Sequence, residues 1–480
     1  MTFTGAPPPE RLNLARHCLS GKPPDKTALI VAGAEAQRWT YGALEDSVLR
    51  MAQGLRLAGL EPGDRLFIRM GNSLDYALIF FAANAMGAIP IASSPMLTQR
   101  EVQALVTFSG TRILAWDGAL ALPPLDGVTV LGPDQIAGLK RTSPGRYADT
   151  GAHDPGYMIF TSGTSGTPKG VLHAQRAIWG RRPMYEGWYG ITHSDVMLHT
   201  GAFNWTYTLG TGLFDPFANG CTSVVYTGEK DDTVWARLVA EHGVTIMASV
   251  PGIYRHLLRA GFRPAATLRH GLTAGETLAR SILDGWREQT GTELYEALGM
   301  SEISTYISSS PSVPVRPGSP GKPQRGRSVR ILDDGEIAVH RSDPGLFLGY
   351  WGEERFADEW FATGDTAELD ADGYVWCNGR IDDMMNAGGL RVSPLEVEQV
   401  LLHHPDIADA GVREWRVSDS ASIIAAFLVP RDGARVNEEA VLAFVRDRIA
   451  AYKCPKQVWF VPALPRTANG KLNRKALERP

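Results

Sequence analysis

Runs of apolar residues with strand-like patterning, such as Arg65-Leu66-Phe67-Ile68-Arg69 and Val244-Thr245-Ile246-Met247-Ala248, alternate along the chain with stretches whose apolar positions recur at helical spacing, such as Leu44 to Leu57 and Thr233 to His242. That alternation predicts a large α/β fold with helices covering sheets. The longest apolar run, Tyr76 to Ala92, is interrupted by Asn84, Gly87 and Pro90. It predicts a buried helix running into a strand rather than a membrane span. No period of about 20 to 50 residues repeats, which excludes a solenoid.

Near residue 382 the texture becomes compact α+β. Ser393-Pro394-Leu395-Glu396 is a capping box with proline at the first helical position, and Leu395, Val397, Val400 and Leu401 give that helix an apolar face. Ile423 to Val429 reads as a buried strand, and Asn437 to Tyr452 as a second helix stopped by Pro455. The predicted organisation is a large multi-sheet N-terminal domain, residues 1–381, and a small α+β C-terminal domain, residues 382–480.

The 480 residues suffice for at least two cores, and a net charge of -4 spread along the chain gives no footprint for nucleic acid. The first sixteen residues carry Pro7-Pro8-Pro9 and no apolar segment of the kind a signal peptide needs, so a cytoplasmic location is expected. Cys18, Cys221, Cys377 and Cys454 lie too far apart in sequence for a CxxC metal motif.

The densest candidate chemistry is Thr161-Ser162-Gly163-Thr164-Ser165-Gly166-Thr167-Pro168-Lys169-Gly170, between strand-like Tyr157 to Phe160 and Ala174 to Trp179, which can begin a helix. Three glycines allow close backbone approach, and five hydroxyls, the amides and one ammonium group donate to polyphosphate oxygens. The order of residues is not that of a Walker A loop. A plain Gly/Ser/Thr linker would need neither the lysine nor a strand leading in.

This loop resembles that of the adenylate-forming superfamily of acyl-CoA synthetases, adenylation domains and luciferases, and further motifs follow in the family's order. Tyr295 to Glu302 stands where the family has its Gly-x-Thr-Glu segment, so the resemblance implies that Glu302 binds Mg²⁺ and Ser301 contacts phosphate. Thr273-Ala274-Gly275-Glu276 resembles the turn bordering adenine, and Glu296, followed by Ala297, the residue meeting the adenine amino group. Thr363-Gly364-Asp365 and Gly379-Arg380-Ile381-Asp382-Asp383 imply ribose contacts for Asp365 and Arg380, with Asp382 as the hinge of a mobile C-terminal domain. Asn386 to Arg391 resembles the loop lining the pantetheine channel, with Gly388 and Gly389 leaving room for the thiol arm and Arg391 serving adenylation. Lys471, in Pro465 to Lys471, matches the catalytic lysine.

The chemistry the resemblance implies is activation of a carboxylate as its acyl-AMP with release of pyrophosphate, then acyl transfer to the thiol of coenzyme A. Two anions must be held together while charge builds on phosphate oxygens, and Lys471, Mg²⁺ on Glu302 and the loop donors fit that need. Where acetyl-CoA synthetases place a tryptophan, this chain has Gly299, so an acid larger than acetate is expected. Phe203, Trp205, Thr206, Tyr207 and Val250 would form the rest of the acyl pocket. The pattern resembles medium-chain and benzoate-type ligases. No carrier domain follows Lys471, which favours free coenzyme A over the alternative acceptor, a separate carrier protein's pantetheine. A silent nucleotide-binding module is the third reading, opposed by retention of Lys169, Glu302, Asp365, Arg380 and Lys471. Acetylation of Lys471 by a protein acetyltransferase would remove its charge. Oligomeric state stays open, a homodimer being one candidate.

Overall fold

The structure, a computed structural model, describes residues 5–33, 36–162, 168–231, 233–387, 390–418, 421–467 and 471–480. Its contacts divide the chain into two compact units: Met1–Arg316, Pro320–Ser328 and His340–Phe361 form one, and Pro317–Ser319, Val329–Val339 and Ala362–Pro480 the other.

Two large sheets organise the first unit. A nine-stranded sheet has a parallel centre, in the order Glu293–Met300, His270–Ala274, Ile246–Ser249, Val196–His199, Thr222–Tyr226 and Thr27–Ala32, with antiparallel strands at its edges. A seven-stranded sheet runs parallel through Pro155–Ser162, Ile89–Ala92, Arg65–Arg69, Ile113–Trp116 and Thr129–Leu131, then adds Pro168–Ala174 and Gly349–Tyr350 antiparallel. Parallel strands are covered on both faces, so they read as unbroken apolar runs: Leu66, Phe67 and Ile68 are all fully buried.

The apolar run from Tyr76 folds as expected, into helix Leu74–Ala85 followed by strand Ile89–Ala92. Ser73 caps the helix by accepting from the Tyr76 amide at 3.1 Å. Every residue from Tyr76 to Ala85 is buried, as a helix apolar on all sides must be. Asn84 is tolerated there because its amide donates to Gly156 O at 2.8 Å and accepts from Ala15 N at 3.0 Å. No described helix is long and apolar enough to cross a membrane.

After the glycine-rich loop a helical segment begins at Gln175 and reaches the short α-helix Arg182–Met184, while Ala174 itself closes a strand. Pro168–Ala174 is a strand paired antiparallel with Pro155–Ser162, with Thr161 opposite Lys169, and short 3₁₀ turns Gln175–Ala177 and Trp179–Arg181 follow. Val171, half-buried Leu172 and buried His173 follow a two-residue period, which the pairing enforces.

In the second unit a three-stranded sheet, Ile407–Ser418, Ala421–Pro430 and Gln457–Phe460, packs with helices Pro394–Leu402 and Glu438–Arg446 around Val397, Leu401, Val412, Ile424, Val441 and Val445. The second helix ends before the expected Tyr452, its exit tightened by Arg448 N bonding to Val445 O at 2.9 Å. Half of the expected capping box forms: Ser393 accepts from Glu396 N at 3.3 Å, while the Glu396 carboxylate turns to Lys453 Nζ at 2.5 Å. The apolar face also carries Glu398, 5% exposed, where the sequence pattern had marked only aliphatic positions.

Two ion pairs are enclosed in the first unit. Arg181 grips Asp215 through both Nε and Nη2, at 2.7 and 2.6 Å, and Tyr189 donates to the same carboxylate at 2.5 Å. Arg327 pairs with Asp343 at 2.8 Å. Removing one partner of such a pair leaves a charge with neither water nor counter-ion. Arg181→Met is therefore expected to cost roughly 3–5 kcal/mol in urea-unfolding free energy, and Arg181→Met with Asp215→Leu to recover most of it.

Candidate active site

The carboxyl ends of the parallel strands place several predicted residues side by side. Ser249 leads into Val250, Ala274 into Gly275, and Glu296 and Ala297 sit in register with Thr273 and Ala274. Trp205, Tyr207, Val250, Ala274, Tyr295 and Ala297 belong to one apolar cluster. The Tyr207 hydroxyl donates to Ser249 O at 2.9 Å and lies 3.2 Å from Leu272 O, so it is held to the strand ends. The Trp205 ring covers Gly275, whose φ of +98° and close ring contact leave no place for a side chain. Thr206 is buried at the first turn of the short helix that begins beside Trp205. Phe203 stands apart from this cluster: its ring meets Tyr76 and its amide donates to Asn72 Oδ1 at 2.9 Å.

Gly299 lies against main chain. A Cβ at this position would lie 2.4 Å from Ser304 O and 2.7 Å from Thr305 Cα, so it is directed into the backbone of the adjoining strand. The absent side chain lets the adjoining strand approach closely at this point. Ser304 itself has φ +73°, a strained value for a residue with a Cβ.

Glu302 is 7% exposed, and several groups hold the segment around it. Tyr350 OH donates to Glu302 Oε1 at 2.8 Å, and Phe347 N to Glu302 O at 2.8 Å. His173 Nε2 donates to Ser301 O at 2.8 Å. Burial pushes the imidazole pKa down to about 3, so it is neutral, and its ring stacks on Tyr157 at 4.6 Å. Arg181 Nη1 donates to Ser304 Oγ at 2.7 Å, and Arg327 Nη2 to Thr305 O at 3.0 Å. The Lys169 ammonium lies over the Tyr350 ring, 4.3 Å from its centroid, and 3.9 Å from Glu353 Oε1. One tyrosine thus receives the lysine on its face and reaches the glutamate with its hydroxyl.

Tyr350 and His173 were not singled out from sequence. Nothing local marks them, since Tyr350 meets Glu302 across 48 positions and His173 meets Ser301 across 128. The strand period around Val171 is the one signal that puts His173 inward.

Glu296 is buried, and desolvation raises its pKa to about 7 despite a bond from Leu278 N at 2.9 Å. Glu276, in the turn after Ala274, is half-buried.

The remaining predicted residues lie in the second unit. Asp365 and Arg380 are paired neighbours on antiparallel strands Trp360–Leu369 and Val375–Arg380, with Arg380 Nη1 3.6 Å from Asp365 Oδ1. Gly364, at φ +78°, lies against the guanidinium, where a Cβ would be 2.5 Å from Nη2. Lys471 is exposed. Asn386 and Arg391 pair in the backbone of hairpin Met385–Ala387 with Leu390–Val392. Gly163 to Thr167, Gly388, Gly389, Gly470 and the side chains of Ser162, Asp382 and Arg391 lie outside the described residues.

A Mg²⁺ ion suits Glu302 only with help. Among the described residues no three His, Cys, Asp or Glu side chains gather into a metal site, so the single hard carboxylate oxygen donor needs phosphate oxygens to complete a shell. That is the usual division of ligands for Mg²⁺ with a nucleotide.

The family model described as AMP-binding enzyme matches residues 16–351, and that of the AMP-binding enzyme C-terminal domain matches residues 396–471. A 3-hydroxybenzoate–CoA ligase of Aromatoleum sp. (strain CIB) is 31% identical over 93% of this chain and 92% of its own length. A benzoate CoA ligase from Burkholderia xenovorans LB400 superposes with TM-score 0.86 at 27% identity, covering 96% of this chain and 99% of that one. An anthranilate CoA ligase solved with anthranoyl-AMP gives TM-score 0.86 at 25% identity, over 98% and 97% of the two chains.

The raised Glu296 pKa has a measurable consequence. A carboxyl that holds its proton more tightly folded than unfolded stabilises the fold below the ordinary glutamate range, and that contribution is lost as pH rises through the folded value. Between pH 4.5 and about 7 the protein should lose roughly 3 kcal/mol from this group. In Glu296→Gln that part of the slope should vanish, which urea unfolding of both proteins across the range will measure.

Proposed function

This chain belongs to the AMP-binding enzyme family, and on that premise we propose that it joins a medium-chain or aromatic carboxylic acid to coenzyme A at the expense of ATP. It is an AMP-forming acid–thiol ligase: carboxylate and ATP give acyl-AMP and pyrophosphate, and the thiol of coenzyme A then displaces AMP. The observation that carries the reading of the site is the meeting of Lys169 and Glu302 on Tyr350.

In the first step a carboxylate oxygen attacks the α-phosphorus in line with the departing pyrophosphate. Lys169 and the hydroxyl and amide donors from Thr161 to Thr167 hold the phosphate chain, with Ser301 beside them. Mg²⁺ on Glu302 would neutralise phosphate charge when bound. Lys471 adds a cation where negative charge grows on the non-bridging oxygens. Gly275, Glu276, Glu296 and Ala297 border the adenine, and Asp365 and Arg380 take the ribose hydroxyls. The acid lies among Trp205, Tyr207 and Val250, an aromatic lining that suits a planar ring or a short aliphatic chain.

In the second step Asp382 is the pivot that exchanges Lys471 for Gly388 and Gly389, which leave space for the pantetheine thiol, while Arg391 serves the adenylation arrangement. A turn of one or two residues between packed bodies is an ordinary hinge.

A panel of acetate, hexanoate, octanoate, benzoate and 3-hydroxybenzoate, scored for coenzyme A-dependent AMP release, tests the reading. Benzoate-type or medium-chain acids should exceed acetate at least ~10-fold in kcat/KM. Absence of acid-dependent pyrophosphate exchange with every member would refute the ligase. Lys471→Ala should slow adenylation by ~100-fold or more while sparing thioester formation from supplied acyl-AMP. Acetylation of Lys471 by a protein acetyltransferase should do the same, and protein acetylated there that kept its full adenylation rate would exclude that control.

A further inference from the structure

Lys471 is carried on a narrow hairpin. Thr467 N donates to Lys471 O at 2.8 Å, Asn473 N donates to Pro465 O at 2.9 Å, and Arg466 and Leu472 form an antiparallel bridge between the stems. Each stem ends in an arginine bound to a carboxylate. On the incoming side Arg466 Nη2 lies 2.6 Å from Asp409 Oδ2. On the outgoing side Arg474 makes a three-point contact: Nε and Nη2 bind the two oxygens of Glu398 at 2.9 and 2.6 Å, and Nη1 reaches Asp383 Oδ2 at 3.1 Å.

The partners of Arg474 give this contact its interest. Glu398 faces inward from helix Pro394–Leu402 and also accepts from Val412 N at 2.9 Å. A carboxylate in that place is costly unless a cation meets it with good geometry, and a planar guanidinium does so with two parallel bonds. Asp383 directly follows Asp382, the pivot. A single side chain, three residues from the lysine, therefore reaches both the helix of the small body and the residue beside its hinge.

We propose that Arg474 is a positioning residue for Lys471, tying the lysine-bearing hairpin to Glu398 and Asp383 so that lysine and post-hinge segment move as one body. This rests on the adenylation role of Lys471 and the pivot at Asp382. A rotation about the hinge then arrives at the lysine undiminished. Without the tie, the hinge could turn while the hairpin lagged or splayed, and misplacement of a catalytic group by about 1 Å can cost 10²-fold. Folding of the tail has other supports: Leu472 and Leu477 pack with Phe427 and Leu464, and Arg413 Nη1 donates to Lys475 O and Leu477 O, each at 3.1 Å. Loss of Arg474 should therefore loosen the hairpin more than unfold it.

The full-length protein carries the test, as Arg474→Gln, Lys471→Ala and the double variant, using benzoate or the panel acid turned over fastest. Acid-dependent pyrophosphate exchange reports adenylation, and thioester formation from chemically prepared acyl-AMP reports the second half-reaction. Arg474→Gln should slow exchange by ~10- to 100-fold and change thioester formation by less than about 3-fold. In the double variant exchange should fall no further than in Lys471→Ala alone, because the two residues act through one group. Arg474→Lys keeps the charge without the fork and should restore exchange only in part. If Lys471→Ala separates the half-reactions while Arg474→Gln slows both equally or neither, the positioning role is wrong. If Lys471→Ala itself fails to separate them, the lysine assignment falls instead. Should Arg474→Gln not fold, Asp383→Asn removes only the arm toward the hinge and leaves the pair with Glu398. It should slow exchange by ~3- to 10-fold with thioester formation spared, and an equal effect on both steps overturns the proposal.

Discussion

Two guanidinium–carboxylate pairs shut away from water set the frame on which the first unit's site is built. Arg181 with Asp215 and Arg327 with Asp343 satisfy each other's charge, and each guanidinium has a donor left over. Those spare donors go to Ser304 Oγ and Thr305 O, two and three residues beyond Glu302. The strand that leaves the glutamate is thereby fixed to groups whose own positions are dictated by the cost of a lone buried charge. His173 and Tyr350 complete the grip from the other sheet. A carboxylate held this way would not have to be ordered by the Mg²⁺ proposed to bind it.

The second unit solves the same problem with the same chemistry. Glu398, placed among aliphatic side chains, compels Arg474 to stay with it, and the tail that follows Lys471 is caught as a result. In both units a carboxylate that is expensive to bury organises residues that touch it only indirectly. The arginines are chosen over lysines in each case because one planar group must serve two or three acceptors at fixed angles.

Much of this was legible in the chain. The apolar run from Tyr76 to Ala92, interrupted by Asn84, Gly87 and Pro90, placed Leu74–Ala85 and Ile89–Ala92, because elements covered on all sides must be apolar throughout. The loop from Thr161 to Lys169 and the Ser301-Glu302 segment carry their chemistry in consecutive residues, so their signal survives without coordinates. Tyr350, His173 and Glu398 do not. Each is an ordinary residue in its own segment, and its role arises from a neighbour brought near by sheet pairing or helix packing. At Ala174 to Trp179 the expected helix starts one residue late, because Ala174 is held in a strand opposite Pro155 and only from Gln175 onward is the chain free to turn.

Gly299 carries a wider consequence. Its neighbour across the bend, Ser304, has the left-handed backbone that brings its carbonyl into the space a Cβ would need. A larger residue at 299 is therefore unfavourable unless the bend at Ser304 moves with it, so the two positions are expected to be coupled. A change at this point has to move main chain, whereas the side chains of Trp205 and Val250, proposed to border the acid, pack in an apolar cluster and can be exchanged one at a time.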